Sequence, residues 1–235
     1  MLAAGALAYA VAVILYVVVY GQPEGTGPGG TATLADRVAH LHDHWSLAQA
    51  MWFVEGAAAV CIAIAAFGLQ HRTSPQRVGL PPQVAWATVG VGALLLAMMY
   101  PFMLGGYPDA LAVFDETPGL IAVLNSIATF LFHLGNAVLS LGLAGVFITE
   151  ATAPGVLPRW LALTGAALCL LGTGAAIGLL AGIGSMAAAA PGGVVGFLLT
   201  AYLGTAIWRR AGHNERDAVS EHLDDASSPR PSTPE

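Results

Sequence analysis

Six long apolar stretches fill most of this 235-residue chain, and almost every charge lies in the gaps between them. A lipid core admits only segments that satisfy their own backbone, and a helix of about 20 apolar residues crosses it. The pattern predicts an all-α, polytopic membrane protein with six transmembrane helices, at about 2–20, 46–69, 84–105, 119–148, 160–183 and 191–208. On this reading residues 1–208 form the transmembrane domain. Residues 209–235, rich in Asp, Glu, Ser and Pro, form a disordered acidic cytoplasmic tail. Only 9% of the residues are charged, against about a quarter in a soluble domain. So few charges could not cover so much apolar surface in water.

The placement of arginine sets the expected orientation. The chain has no Lys, and its basic residues are eight Arg. With six spans, Arg72, Arg77, Arg159, Arg209, Arg210, Arg216 and Arg230 share one side, and Arg37 alone lies on the other. The positive-inside rule then puts both termini in the cytoplasm. The expected location is the inner (plasma) membrane of a bacterium, as a multi-pass protein. The first span lacks a basic leader and is long for a signal peptide, so it is read as a retained helix. Glu24, Asp36, Asp43, Asp109, Asp115 and Glu116 face outward. Trp45, Trp86, Trp160 and Trp208 fall at span ends, where interfacial anchors belong, and Trp52 lies deeper. Pro101 predicts a kink near the end of the third span. A net charge of −6 argues against a nucleic-acid partner, which calls for a basic stripe.

Two spans carry polar groups that lipid disfavours. Glu55 is the one acid well inside a span, and such a carboxylate faces protein or water. If one helix runs on from a lead-in at Thr33–Trp45, then Arg37, His40, His44, Met51 and Glu55 share a face at about 100° per residue. That face would suit a proton or cation path leading inward from the outer surface. In the fourth span Asn125, Thr129, His133, Asn136 and Ser140 fall within an arc of about 80°. Such a stripe lines a cavity or bonds to neighbouring helices. Glu55, His133, Asn125 and Asn136 are therefore the candidate ligand-binding or proton-relay residues, with Glu55 and His133 at similar depth. No catalytic residue is signalled, because no GxSxG, P-loop or HExxH motif occurs.

Three further patterns bear on cofactors and partners. His40, His42 and His44 form H-L-H-D-H, and His40 and His44 are one helical turn apart. Two imidazoles at that spacing can share a metal. With Met98, Met99 and Met103 on the same side, copper would suit them, and a bis-histidine haem using His133 is the other possibility. Gly174, Gly178 and Gly182 form a small-residue ladder in the fifth span, suited to close helix packing within the chain or to a homo-oligomer or other membrane subunit. Cys61 and Cys169 lie inside apolar stretches without a CxxC pair, as buried thiols do.

At Gly155-Val-Leu-Pro-Arg-Trp-Leu-Ala-Leu-Thr-Gly165 the chain resembles the bacterial integral-membrane family known as domain of unknown function 4386. Members have about six spans, a Pro-Arg-Trp-Leu turn before the penultimate helix, here Pro158-Arg159-Trp160-Leu161, and a last helix ending at a basic residue, here Trp208-Arg209-Arg210. Val54-Glu55-Gly56-Ala57 also resembles the family's second span. The resemblance implies a six-helix fold and carries no activity with it. The functional expectation is a protein that handles a small molecule or ion through a polar interior between spans two and four. An accessory or redox subunit of a membrane complex, binding haem or copper through the outer histidines, is the second class. A membrane-embedded lipid-modifying enzyme is the third.

Overall fold

The computed structural model describes residues 1–21, 32–72, 82–152, 155–184 and 190–227. Among these residues every regular element is helical. Helix α1 spans Leu2–Leu15 and closes with a wide π-type turn at Tyr16–Tyr20. Helix α2 spans Leu34–Asp43, α3 Trp45–Arg72 and α4 Pro82–Pro101. A second π-type turn at Phe102–Gly106 joins α4 to the short α5, Tyr107–Ala112. Then come α6, Pro118–Thr152, α7, Arg159–Leu180, and α8, Ala190–Ser227.

Five helical segments are long and apolar enough to cross a membrane: Leu2–Tyr20, Trp45–Gln70, Pro82–Ala112, Pro118–Thr152 and Arg159–Leu180. The expected sixth stretch, 191–208, lies inside α8 and is not among those five. Helix α6 has 35 residues, or about 50 Å at 1.5 Å per residue. That exceeds a hydrocarbon core of about 30 Å, so α6 must tilt or project.

The long helices close into a ring. In order around it run α1, α3, α4, α6, α7 and α8, and α8 packs back against α1. Glycines set the tightest seam, between α4 and α6. Gly92 lies on the Leu139 backbone, Gly135 on Leu96 and Gly142 on Val89. Van der Waals contact holds such a seam in lipid, where apolar burial between helices gains little.

The core divides along the ring axis. Toward the end that carries Leu2 and Arg159, Ile62, Val89, Leu96, Leu139, Leu143 and Phe147 are fully buried in one apolar cluster. Toward the α2 end a second cluster is rich in aromatics and sulfur: Tyr20, Met51, Trp52, Met99, Tyr100 and Tyr107. Helix α2 caps that end, with Val38 packed on Ala110 and Ile121.

Local chemistry explains several departures from the expected layout. The lead-in and second span are not one helix, because the chain turns at His44 (φ −112°, ψ 20°) between α2 and α3. The buried stripe of α2 is Val38 and Leu41, while Arg37 is exposed. Arg37, His40 and His44 therefore do not continue the face of Glu55. Pro101 lacks the N–H that would bond residue 97, and the helix widens directly after it. The glycine ladder is interrupted: Gly182 lies past the end of α7 with φ +78°, and Ile183 N–H donates to Gly178 O at 2.8 Å. That left-handed residue closes the helix, as glycine does at a C-terminus. A Cβ at Gly174 would meet no described atom of another element within 4 Å, and α7 meets α8 through Gly172 and Gly193. Trp86 is buried in the core, whereas Trp160 and Trp208 are exposed as anchors would be. Helix α8 runs on to Ser227, through the first part of the expected tail. No proline interrupts it between Pro191 and Pro229, and residues 228–235 lie outside the described residues.

Candidate functional site

Glu55 sits ten residues into α3 and is 5% exposed. The Tyr100 hydroxyl, from α4, donates to its Oε2 at 3.1 Å. The flat Gly56 lets the Tyr100 ring lie against α3: a Cβ there would meet that ring at 3.1 Å. Tyr100 in turn interacts through its hydroxyl with Tyr9 of α1. Asn136 Nδ2, from α6, donates to the Tyr9 hydroxyl at 3.4 Å and to the Phe132 carbonyl at 2.9 Å. Four ring helices thus contribute one polar side chain each to a single chain of groups. Tyr9, Tyr100 and Glu55 are 1%, 2% and 5% exposed, so the middle of the network is buried, while its Asn136 end is half-buried. Buried polar groups of this kind are costly unless they satisfy one another.

The network lies where the two halves of the core meet. Tyr9 belongs to the apolar half and Tyr100 to the aromatic half, and Phe132 packs against both. From Glu55 a column of aromatics leads toward α2. Tyr16 lies within electrostatic reach of Glu55, Tyr20 and Tyr107. Tyr16 and Tyr20 stack at 4.8 Å, and Tyr20 meets the His40 ring edge-on at 4.9 Å. His40 Nε2–H donates to the Tyr20 carbonyl at 3.0 Å. The Tyr107 hydroxyl donates to Asn125 Oδ1 at 3.3 Å, and the Tyr107 ring packs on Trp52 at 5.6 Å. His42 Nδ1 lies 4.0 Å from Asp43 Oδ1 on the surface, an ion pair only when the imidazole is protonated. No described cation faces Glu55.

The structure brings some of the expected site residues together and separates others. Glu55 and Asn136 belong to one network, joined through Tyr100 and Tyr9. His133 is half-buried, with its ring against Phe132 at 5.4 Å, and no described hydrogen bond links it to Glu55. The α6 stripe changes character along its length. Ser140 is buried, Asn136 and His133 are half-buried, and Thr129 and Asn125 are exposed.

His40 and His44 do lie side by side, with ring centroids 4.4 Å apart. Each already donates one ring N–H to a backbone carbonyl, His40 to Tyr20 and His44 to His40, both at 3.0 Å. Among the described residues no three His, Cys, Asp or Glu side chains converge as a metal site would need. Met98 is exposed and Met99 buried. Cys169 is buried and Cys61 half-buried, both free thiols. A separate groove of about 470 Å³ opens on the outer face of α4, between Gln83, Val91 and Val138, and does not include Glu55.

The tyrosines are the part of the site that sequence reasoning missed. One signal was available: Tyr9, Tyr16 and Tyr20 are spaced seven and four apart, which puts them within about 40° on a regular helix. Three hydroxyls on one face of an apolar span need partners, just as a carboxylate does.

The fold and site define an all-helical chain whose apolar helices are of membrane-spanning type, closed around a buried carboxylate–tyrosine–asparagine network. Compared with protein families, curated proteins and solved structures, the chain has no match.

Proposed function

We propose that this chain is a six-span membrane protein, with both termini cytoplasmic, that handles a small molecule or ion through the polar interior around Glu55. The observation that carries this reading is the network itself. A carboxylate 5% exposed, beside hydroxyls from neighbouring helices and without a countercharge among the described residues, is a costly arrangement. Intramembrane carboxylates of this kind mark ion or substrate pathways. The asymmetry of Arg supports the topology, because Arg159, Arg209 and Arg210 cluster at the end opposite α2, where Arg37 lies. In that topology α8 supplies the sixth, short span. The resemblance at Pro158–Leu161 to an uncharacterised six-helix family belongs to the same proposal.

The interior carries one acid and no described Arg, so its charge selects for cations and neutral polar molecules over anions. The test is a thermal-shift screen of purified protein in detergent, using panels of inorganic cations, amines, sugars and carboxylates. Ligands of the first three panels should raise the melting temperature of the wild type and leave Glu55→Gln unmoved. Stabilisation by carboxylates that persists in Glu55→Gln would overturn the reading.

A further inference from the structure

We propose that Glu55 is a proton-binding site that exchanges with the α2 side of the membrane only, the opposite side being sealed in this conformation. The inference rests on the membrane placement proposed above and names the proton as a ligand of the same site.

In this closed conformation the proton is the ligand that Glu55 can take without the helices parting. Its carboxyl is 5% exposed, Gly56 lies against the Tyr100 ring, and Tyr9 and Tyr100 are almost fully buried. Oε2 accepts from Tyr100, which leaves Oε1 as the atom that takes the proton. An O–H bond forms there and the group passes from −1 to neutral, with the proton drawn from water. The groups around it are hydroxyls and not cations: Tyr9 and Tyr16 from α1 and Tyr100 from α4. The neighbouring α6 contributes the neutral Asn136, bonded to Tyr9. No side chain among these can neutralise a carboxylate, so protonation is what relieves its burial.

The two sides of Glu55 differ in what could carry a proton. Toward α2, polar groups continue from Tyr16 to Tyr20 and on to His40, which meets Tyr20 through its ring and the Tyr20 carbonyl. His40 adjoins His44, whose ring is solvent-exposed, and imidazoles pass protons readily. In the other direction lies a dry cluster: Leu96, Leu139, Leu143 and Phe147 are at most 1% exposed. The hydroxyls buried in that half are spent within their own helices, Thr173 on the Cys169 carbonyl and Thr200 on the Gly196 carbonyl. Ser140 packs beside Gly172 of α7. One-sided access to a buried carboxyl is what an alternating-access carrier needs in one of its two states.

The test uses full-length protein in liposomes of neutral phospholipid, sorted by orientation with an impermeant thiol reagent on His42→Cys, a 77% exposed site on α2. Infrared difference spectra are recorded while pH is stepped on one side at a time. The proposal expects a protonated-carboxyl band that follows pH on the α2 side and is lost in Glu55→Gln. A band that follows the opposite side, or one that survives in Glu55→Gln, would overturn it. Tyr16→Phe supplies a second arm if the Glu55 variant fails to fold. The carboxyl response to α2-side pH should slow several-fold, and an unchanged rate would reject the route. If no small molecule binds in the screen above but this band behaves as expected, the ligand reading fails and the proton site stands.

Discussion

Replacing Gly142 with alanine should weaken the protein at the α4–α6 seam. A Cβ at Gly142 would lie 2.5 Å from the Val89 nitrogen and 2.9 Å from both the Thr88 carbonyl carbon and Val89 Cγ2. Two of those atoms are backbone, so no rotamer change relieves the contact. Ordinary carbon contacts fall near 3.5–4.0 Å, so the helices must part locally by about 1 Å. Overpacking of this kind costs about 1–3 kcal/mol. Lipid tails are as apolar as the side chains they would touch, so no hydrophobic gain offsets the loss. At about 1.4 kcal/mol per decade, the folding constant falls roughly 5- to 150-fold. Gly174→Ala is the control, because nothing lies within 4 Å of that position. There alanine removes a helix penalty of about 0.8–1.0 kcal/mol, so stability should hold or rise. The assay is reversible unfolding of the purified protein in mixed micelles by increasing SDS, followed by far-UV circular dichroism. If Gly142→Ala is as stable as the wild type, or Gly174→Ala loses as much, the ring geometry is wrong.

Other consequences are local. Asp36 accepts from the Thr33 backbone N–H at 2.7 Å and also from its hydroxyl, and these bonds hold its pKa below the usual 3.8. A depressed carboxyl stabilises the α2 cap above the unfolded value and loses that contribution as pH falls through the folded one. Amide shifts of Thr33 and Asp36 should therefore stay constant from neutral pH down to about 5 and move together only below the usual carboxylate range. Gly182→Ala places a side chain at φ +78°, at a cost of about 1–2 kcal/mol. The Ile183 amide, bonded to Gly178, should then lose exchange protection while the middle of α7 keeps its own. The Val156 N–H donates to Glu150 Oε2 at 2.7 Å. Glu150→Ala should expose the turn before α7 to limited proteolysis without lowering the global melting point by much.

The sequence made the helices legible because lipid enforces one rule along the whole chain: backbone satisfied within the segment and apolar side chains outside it. Spans two to five needed no tertiary information. Glu55 was legible for the same reason, as a violation of that rule. Its partners were not. Tyr100 is 45 residues away and Asn136 reaches Tyr9 across 127, and only the order of helices around the ring decides such pairings. A tyrosine also disturbs hydropathy too little to stand out within an apolar run. The turn at His44 carries no Gly or Pro to announce it. The ladder at Gly174, Gly178 and Gly182 did not reveal that α7 stops before Gly182, because spacing alone does not say where a helix ends.

The bond between Glu55 and Tyr100 holds the polar network together inside the helix ring. A double-mutant cycle with Glu55→Ala and Tyr100→Phe, read by SDS unfolding, measures it directly. Polar pairs inside membrane proteins average about 0.6 kcal/mol and reach about 1.7. A favourable coupling within that range is expected, with each single variant less stable than the wild type. Additivity to within about 0.3 kcal/mol would show that the two side chains do not interact and would contradict the network.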